Sequence, residues 1–473
     1  MRPIFVLFAC TLLFLTSCQK GFLDLTPPSQ VTPSNFYKTS ADAITAVNGC
    51  YTVNQSSNLY GAGFQVMMEE RGDNVLDLDI SGGSGTNYKI CHFIEDAGNT
   101  LLYSVWVGLY NGIFQCNTLL NNIGPIPMDS TLKNRVRGEA QFLRALHYFN
   151  LVRLWGGVPV LTTVVSADQA LGLKRDSVAT VYQQIEADLT FAAANLPASY
   201  TGADVGRVTS GAASGLLGKV YLYEKKYASA GTVLQGVISS NVFALQPSIA
   251  SVFSDANKYN SEILFAVRYA SGITGETHGF WFTDNNNLPT VDSSIVNAYS
   301  AGDLRKTLTD AIHPTGLSFT GPRKYIDAPD ASGNSGVDFP VLRYADVLLM
   351  EAEVLNEQGY SAATGNGTAF YYLNQVRQRA GLTALTSTDL PDQASFRSEV
   401  YLQRRLELPF ECDRWFDLVR TGQAINAIAA DAGKEVVAGT PIVIDAHQFI
   451  YAIPNAELQI LNFPADFPQN PGY

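Results

Sequence analysis

The sequence predicts a mainly α-helical protein, in which paired helices form a repeat-like scaffold and long, loop-rich insertions interrupt it. Three observations predict this class. Apolar residues recur every three or four positions over most of the chain. Stretches rich in Gly, Asn and Ser break that period at about 57–98 and 241–340. Short runs such as Ile263 to Val267 within the second stretch are typical of a few short β-strands.

The chain begins with a short export signal. Arg2 precedes an apolar stretch that is too short to span a bilayer. That stretch ends in Leu-Thr-Ser-Cys at Cys18, which resembles the bacterial lipobox, in which the cysteine thiol is acylated and becomes the first mature residue. We therefore expect residues 1–17 to be a removed signal peptide and residues 18–473 to form a single lipid-anchored domain.

The composition narrows the range of partners. The chain has 43 acidic and 31 basic residues, a formal net charge of −12. This excess of negative charge argues against a nucleic-acid partner and against a basic patch on anionic lipid. Only 16% of the residues are charged, so much of the surface is neutral and polar, which suits neutral ligands such as carbohydrate.

Four cysteines remain after the signal and the anchor: Cys50, Cys91, Cys116 and Cys412. They could pair in three ways, but Cys50 and Cys116 follow the apolar period of predicted helices, so we expect buried free thiols. The histidines and cysteines lack zinc-site spacing. A calcium-like loop begins at Asp77 but has Tyr88 where a bidentate Glu is needed, so neither a metal nor a cofactor is predicted.

Helical periodicity places the elements in order. Thr39 and Ser40 form a capping pair in front of the first helix. Longer apolar stripes begin at Leu102 and Phe142, and Gly-Gly-Val-Pro at 156–159 ends the second, because two glycines and a proline cannot continue a helix. Further helices are predicted at about 177–195, 209–224, 227–238, 341–358, 367–380 and 394–422.

One helix pair carries a recognisable repeat. Leu-Gly-x-x-Tyr at 217–221, followed by Ala230 and Leu234, has the spacing of the tetratricopeptide pattern, in which small residues let two antiparallel helices approach closely. Lys225 stands where that repeat often has Gly. A second pair within 341–380 has similar apolar spacing. These pairs predict a degenerate tetratricopeptide-like scaffold with long insertions and no regular solenoid.

The densest charged block contains carboxylates that could pair for glycoside hydrolysis. Its members are Arg404, Arg405, Glu407, Glu411, Arg414, Asp417 and Arg420. Each carboxylate has arginines three or four residues away on the predicted helix, which would lower its pKa and make it unsuitable as a general acid. We therefore expect a structural ion network and no enzymatic activity. The sequence also lacks a nucleophile elbow, a Walker loop and a dinucleotide fingerprint.

The four tryptophans divide into two kinds. Trp106, Trp155 and Trp415 lie on or at the ends of apolar helical stripes, which predicts core packing. Trp281 lies in GETHGFWFTDNNNLP, which has no helical period. If this segment is a strand with its flanking phenylalanines inward, alternation places Trp281 on the exposed side.

Carbohydrate binding is the chemistry that this aromatic segment suits. Sugars present apolar C–H faces that stack on aromatic rings, while their hydroxyls bond to Asn, Asp and Arg side chains. The predicted ligand contacts are Trp281, Phe280, Phe282 and Asn285, together with Tyr88, Arg71 and Asp73 from the other irregular stretch.

Five sequence blocks, in this order, resemble the SusD/RagB family of outer-membrane nutrient-binding lipoproteins from Bacteroidetes-type bacteria. They are GEAQFLRALHYFNLVRLWGGVPV at 138–160, RYADVLLMEAEVLNE at 343–357, LNQVRQRAGL at 373–382, RRLELPFECDRWFDLVRTG at 404–422 and QNPGY at 469–473. The resemblance implies a tetratricopeptide-like scaffold, a glycan- or nutrient-binding face, and a TonB-dependent SusC-like barrel on which the lipoprotein sits as a lid. Gln19 to Gly21 lack the acidic cluster often found in surface-exported lipoproteins of this group, which leaves outward orientation to be tested.

The sequence thus predicts a non-catalytic lipoprotein of the outer membrane, facing the exterior, that captures glycans and delivers them to a SusC-like transporter. Capture of peptides or another nutrient by the same architecture is the alternative. A surface hydrolase would need a carboxylate pair outside the arginine-rich block, and a structural repeat adaptor would bind no ligand.

Overall fold

Helices dominate the structure, a computed structural model that describes residues 36–77, 85–270, 272, 290–309, 311–312, 320–321, 324–325, 336–431, 433–437, 440–461 and 466–473. Residues with predicted roles that lie outside this part of the chain are Cys18, Phe280, Trp281, Phe282 and Asn285. Within it, no helix has the length and apolar character needed to cross a bilayer.

The α-helices follow one another in this order: α1 (Ser40–Thr52), α2 (Thr86–Cys91), α3 (Thr100–Asn122), α4 (Ser130–Trp155), α5 (Ala167–Ala170), α6 (Val178–Asn195), α7 (Ser210–Tyr223), α8 (Tyr227–Ser239), α9 (Ile249–Val252), α10 (Ser293–Ala298), α11 (Lys306–Thr309), α12 (Tyr344–Gln358), α13 (Ala369–Arg379), α14 (Gln393–Glu407), α15 (Arg414–Arg420), α16 (Ala424–Ala430) and α17 (Asn455–Leu461).

The strands are short and pair as antiparallel ribbons of two, β1 with β3, β2 with β6, β4 with β5 and β7 with β8. They are β1 (Val75–Leu76), β2 (Ile263–Val267), β3 (Thr290–Val291), β4 (Ala311–Ile312), β5 (Thr320–Gly321), β6 (Phe339–Arg343), β7 (Glu435–Val437) and β8 (Thr440–Pro441). The predicted strand from Ile263 to Val267 is confirmed.

Helix starts coincide with side chains that cap them. The Thr39 hydroxyl accepts the backbone N–H of Asp42, and the Thr209 hydroxyl accepts that of Ala212. Such a cap satisfies one of the N–H groups that the first turn of a helix leaves without a partner. The helices predicted at 177–195, 209–224 and 227–238 are confirmed to within one residue at each end.

The predicted tetratricopeptide-like pair is α7 and α8. A Cβ atom on Gly218 would lie 2.5 Å from Cδ2 of Leu234, so glycine is what allows the two helices to come this close. Lys225, in the turn between them, has a φ of +59°, the left-handed conformation that glycine adopts at little cost. The degenerate repeat scaffold is therefore confirmed, including its departure at Lys225.

The scaffold helices pack in a continuous series: α3 on α4, α4 on α6, α6 on α7, α7 on α8, α8 on α12, and α12 on both α13 and α14. The contact between α8 and α12 spans the insertion at 241–340. The chain thus leaves the scaffold after α8 and returns beside it, so that the insertion does not interrupt the helical layer.

The predicted core residues are buried. Trp106, Trp155 and Trp415 are 3%, 0% and 1% exposed, as their helical stripes predict. The Trp155 indole N–H also donates to the carbonyl of Ala452, at 3.0 Å, which attaches α4 to the C-terminal segment. The four predicted thiols are free and buried: Cys50, Cys91, Cys116 and Cys412.

Two predicted helices are wrong in extent. The helix expected over 394–422 is two helices, α14 and α15, separated at Leu408 to Asp413. Pro409 has no N–H to donate, and Phe410 and Cys412 have φ values of +66° and +65°, which no α-helix accommodates. The helix expected from 341 begins only at Tyr344, because the residues before it pair as β6 with β2.

Candidate functional site

The β1–β3 ribbon joins the two irregular stretches that the sequence marks for binding. Val75 lies opposite Val291, and Leu76 lies opposite Thr290. Because the strands are antiparallel, the chain that follows Leu76 and the chain that precedes Thr290 lie at the same end of the ribbon. The stretch leading to Tyr88 therefore leaves the ribbon at the end where the chain enters β3.

Tyr88 lies on α2, just beyond this end of β1. Its ring stacks on the imidazole of His92, with 3.8 Å between ring centroids and 20° between ring planes. His92 is buried and its Nδ1 lies 2.8 Å from the Tyr88 carbonyl oxygen. Tyr88 is thus a half-buried aromatic ring, one face of which packs on His92. Its contact with a ligand remains a prediction.

Arg71 lies in the interior of the protein. Its guanidinium carbon is 4.6 Å from the ring centroid of Phe93 and 4.1 Å from that of Tyr451. The group also pairs with Glu95 and donates to the carbonyl of Gln448 at 2.6 Å. With 0% exposure, Arg71 joins the first insertion to the C-terminal segment, and this position argues against its predicted contact with a ligand.

The Asp73 side chain also has a structural role, in buried ion pairs. Its carboxylate accepts from Arg414 at 2.6 and 2.7 Å and lies 3.2 Å from Arg405. Burial alone would raise the pKa of Asp73, but these guanidinium groups outweigh it and lower the pKa to about 2. Since Asp73 is 4% exposed and already paired, its predicted ligand contact also has no support here.

A groove of about 370 Å³ opens between α1, the turn that follows Gly202, and β2. Its volume is within the range of small-ligand sites. It ends at Ala270, shortly before the segment that carries Trp281. Its lining consists of Asn48, Tyr51, Thr52, Asn54, Gln55, Ala203, Gly206, Arg207, Phe265, Ala266, Val267, Arg268, Tyr269 and Ala270.

The sequence did not reveal this groove, because its walls come from three separated parts of the chain and none forms a motif. One local signal was present in Gly206. This residue has a φ of +93°, and a Cβ on it would lie 2.8 Å from Tyr259 and 3.2 Å from Arg268. A glycine there lets both side chains approach the turn.

The arginine-rich block forms the predicted ion network, although its partners are not the ones that helical spacing indicated. Glu407 accepts from Arg343 at 2.7 Å and from Arg305 at 3.4 Å, and it also pairs with Arg379. Burial favours the neutral acid, but the three guanidinium groups prevail and lower the pKa of Glu407 to about 2. This carboxylate therefore stays ionised and cannot act as a general acid near neutral pH.

Glu411 and Arg404 extend the network. Glu411 accepts from Arg343 at 2.7 Å and from Lys324 at 2.5 Å, and Arg404 bridges Asp346 and Asp417 at 2.6 and 2.7 Å. Partners that sequence reasoning missed are Asp346, Glu353, Arg305, Lys324, Arg343 and Arg379. In the described part of the chain, no three His, Cys, Asp or Glu residues are grouped so that they could hold a metal ion.

Comparison with known proteins assigns the family. The profile of the SusD family matches residues 315–473, and a second profile, described as starch-binding and associating with the outer membrane, matches residues 21–222. SusD-like protein P2 of Formosa agariphila is 28% identical over 525 residues, which cover 100% of each chain. The chain belongs to the SusD/RagB family.

Solved structures share the fold. A laminarin-binding SusD-like protein superposes with a TM-score of 0.75 at 27% identity, over 92% of this chain and 100% of that one. Surface glycan-binding protein A from Bacteroides thetaiotaomicron, in complex with laminarihexaose, has a TM-score of 0.77 at 19% identity, again over 92% and 100% of the two chains.

The ion network gives a prediction about stability. Replacing Glu411 with Gln leaves Arg343 and Lys324 buried with one negative charge fewer, so the free energy of unfolding should fall by about 3–5 kcal/mol. Urea denaturation at pH 7 measures this loss. The control is Glu357→Gln, which breaks the more exposed pair with Arg397 and should cost no more than about 1 kcal/mol.

The pH dependence follows from Glu407. Its pKa is lowered from an ordinary 4.5 to about 2, so its contribution to stability is complete above 4.5 and is lost as the pH falls towards 2. Acid titration of the wild type should show this loss within that window. One outcome would contradict the stability prediction for Glu411. If Glu411→Gln unfolds at the wild-type urea concentration and abolishes a hydrolytic activity, the arginine-rich block is catalytic and the structural assignment is wrong.

Proposed function

We propose that this protein is a non-catalytic, lipid-anchored glycan-binding protein of the outer membrane, which captures oligosaccharides or polysaccharides at the cell surface and delivers them to a TonB-dependent SusC-like transporter. The observation that carries the proposal is the β1–β3 ribbon, at one end of which the stretch leading to Tyr88 leaves β1 and the chain enters β3. We infer that aromatic side chains of both stretches, Tyr88 and Trp281 among them, hold a chain of sugars at this end.

Family and relatives support a carbohydrate ligand. One matching family profile is described as starch-binding, and the relative at 27% identity is named for laminarin, a glucan. The groove between α1 and β2 is lined in part by amide, hydroxyl and guanidinium groups. These groups are suited to sugar hydroxyls, which both donate and accept hydrogen bonds.

The arrangement of carboxylates supports binding without hydrolysis. Among the described residues that line the groove there is no Asp, Glu or His, so none of them could act as the acid or base of a glycosidase. The carboxylates of the arginine-rich block are buried in ion pairs instead.

An exposed apolar face on helix α3 supports the proposal that a SusC-like barrel is the partner. Its 23 residues include no charged side chain, although the helix has an exposed face. Tyr103, Val107 and Phe114 on that face are 37%, 41% and 48% exposed. At these spacings they form one apolar stripe, of the kind that marks a protein interface. We place the extracellular loops of the barrel against this stripe.

The first prediction from this proposed function concerns the ligand. Trp281→Ala should weaken binding of laminarihexaose about thirtyfold, because loss of a stacked aromatic at a hot spot costs about 2 kcal/mol. Isothermal titration calorimetry measures the affinity, and the melting temperature should stay close to that of the wild type. Phe114→Ala removes an exposed aromatic from α3 and should leave glycan affinity unchanged.

Three other outcomes would redirect the proposal. Full affinity in Trp281→Ala at an unshifted melting temperature removes Trp281 from the site and moves attention to Tyr88. Binding of peptides but of no glycan in a panel favours the alternative nutrient class. Release of shortened sugars during incubation shows an enzyme.

The second prediction concerns the anchor. Acylation requires the thiol, so Cys18→Ala should leave the protein in the periplasm or uncleaved, whereas the wild type fractionates with the outer membrane. Cys10→Ala, within the leader, is the matched control and should not alter fractionation. Recovery of Cys18→Ala in the outer membrane at the wild-type level contradicts the lipoprotein assignment, and protease treatment of intact cells tests whether the protein faces outward.

The third prediction concerns the partner. A tagged full-length chain, extracted in mild detergent, should recover a barrel of SusC-like size through an interface of about 2,000 Å² or more. Replacing Val107 and Phe114 with Asp should reduce that recovery, because buried charges cannot be solvated in the interface. Val443→Asp changes a valine that is 85% exposed elsewhere and should have no effect. Recovery of the wild-type lipoprotein alone in several detergents argues against the pairing.

A further inference from the structure

Arg268 is an exposed arginine in the groove that is held in place without a carboxylate partner. Its guanidinium carbon lies 4.8 Å from the ring centroid of Tyr259, and one N–H donates to the carbonyl of Val205 at 3.3 Å. Its own backbone carbonyl accepts from Gln55 at 2.7 Å. Among the described residues, no Asp or Glu forms an ion pair with Arg268. Burial raises the pKa of nearby Asp338 and the charge of Arg268 partly offsets that rise, but the ion-pair partner of Asp338 is Lys258, at 3.3 Å.

Arg207, the other cation of the groove, is already neutralised. Its guanidinium donates to Glu139 at 2.8 Å, to Asp204 at 2.7 Å and to the Asn48 side-chain oxygen at 2.7 Å. Arg268 therefore provides the charge that a ligand in the groove would meet. None of the described residues that line the groove is acidic.

Asn54 adds a buried polar side chain to the wall of the groove. It is 1% exposed, and its amide N–H donates to the Tyr51 carbonyl at 3.4 Å. Its Oδ1 has no hydrogen-bond donor among the described residues and is itself enclosed by protein atoms. Arg268, and not Asn54, is therefore the group that a ligand in the groove would contact.

Fixing Arg268 beforehand favours an anion. An arginine side chain loses conformational entropy when it is immobilised, and the Tyr259 stack and the Val205 carbonyl restrict Arg268 before a ligand arrives. A planar guanidinium bonds a carboxylate or a sulfate through two parallel N–H groups. A neutral hydroxyl cannot use that geometry fully.

We propose that this groove binds an acidic sugar residue, with its carboxylate or sulfate ester on Arg268. This inference rests on the proposed glycan-binding function and adds the class of ligand. It assigns the acidic sugar to the groove and leaves stacking of neutral sugar faces to the Trp281 segment.

The experiment compares charged oligosaccharides with their uncharged forms. The full-length protein, purified in detergent, is titrated with oligogalacturonate, oligoalginate and an oligosaccharide of a sulfated galactan. The controls are methyl-esterified oligogalacturonate and oligoalginate and the desulfated galactan. At least one charged form should bind ten times or more tightly than its uncharged form, and added salt should weaken that binding. The uronate and sulfate arms distinguish the two sources of charge.

Arg268→Gln should weaken binding of that charged sugar about thirtyfold and remove the salt dependence. The matched control is Arg137→Gln, since Arg137 stacks on Phe191 at 4.9 Å outside the groove, and it should bind as the wild type does. A second groove variant, Thr52→Glu, places a carboxylate beside the ligand and should also weaken binding of the charged sugar only. Thermal unfolding should be unchanged in all three.

The inference is overturned if no charged sugar binds, if charged and uncharged forms bind equally, or if Arg268→Gln leaves the affinity unchanged. Binding of laminarihexaose that depends on Trp281 but not on Arg268 would leave the proposed glycan-binding function standing and reject the acidic-sugar site. Failure of every glycan, neutral and acidic, to bind the wild type would reject both.

Discussion

The buried side chain of Arg343 is the contact on which the rest of the structure depends. At 1% exposure it donates to Glu262, Glu407 and Glu411, and so joins the loop before β2, the end of α14 and the turn that follows. Each of these groups would carry an uncompensated charge in the interior without the others. The insertion and the helical scaffold are therefore fixed together by one set of contacts.

Buried ion pairs also position the β1–β3 ribbon, where binding is expected. Asp73, just before β1, is held by Arg405 of α14 and Arg414 of α15. The backbone N–H of Asp292, just after β3, donates to the Asn74 carbonyl at 2.8 Å. Paired charges and backbone hydrogen bonds at its base thus orient the ribbon that joins the two aromatic stretches.

This use of charge has a consequence for function. The carboxylates that resemble a hydrolytic pair in the sequence form ion pairs with arginines in the interior. The described residues that line the groove include no carboxylate, and they offer polar side chains, aromatic rings and the Arg268 guanidinium to a ligand. Charge is thus concentrated in the interior, and the groove presents mainly neutral polar and aromatic groups.

The sequence by itself determined most of the long scaffold helices, because their signals are local. Caps such as Thr39 and Thr209, the three- and four-residue apolar period, and the burial of Trp155 depend on neighbours within a few turns. Family resemblance carried by five blocks added the scaffold and the class of protein. The candidate aromatic residues around Trp281 also came from sequence alone.

Only the tertiary structure decided which distant residues meet. The pairing of β1 with β3, the contact between Arg343 and Glu411, and the groove around Arg268 each join parts of the chain that no periodicity relates. The same contacts showed that Arg71 and Asp73 are internal supports, since residues in an irregular stretch carry no sign of their burial. Local spacing encodes helix and turn, whereas a buried charge finds its partner only when the whole chain has folded around it.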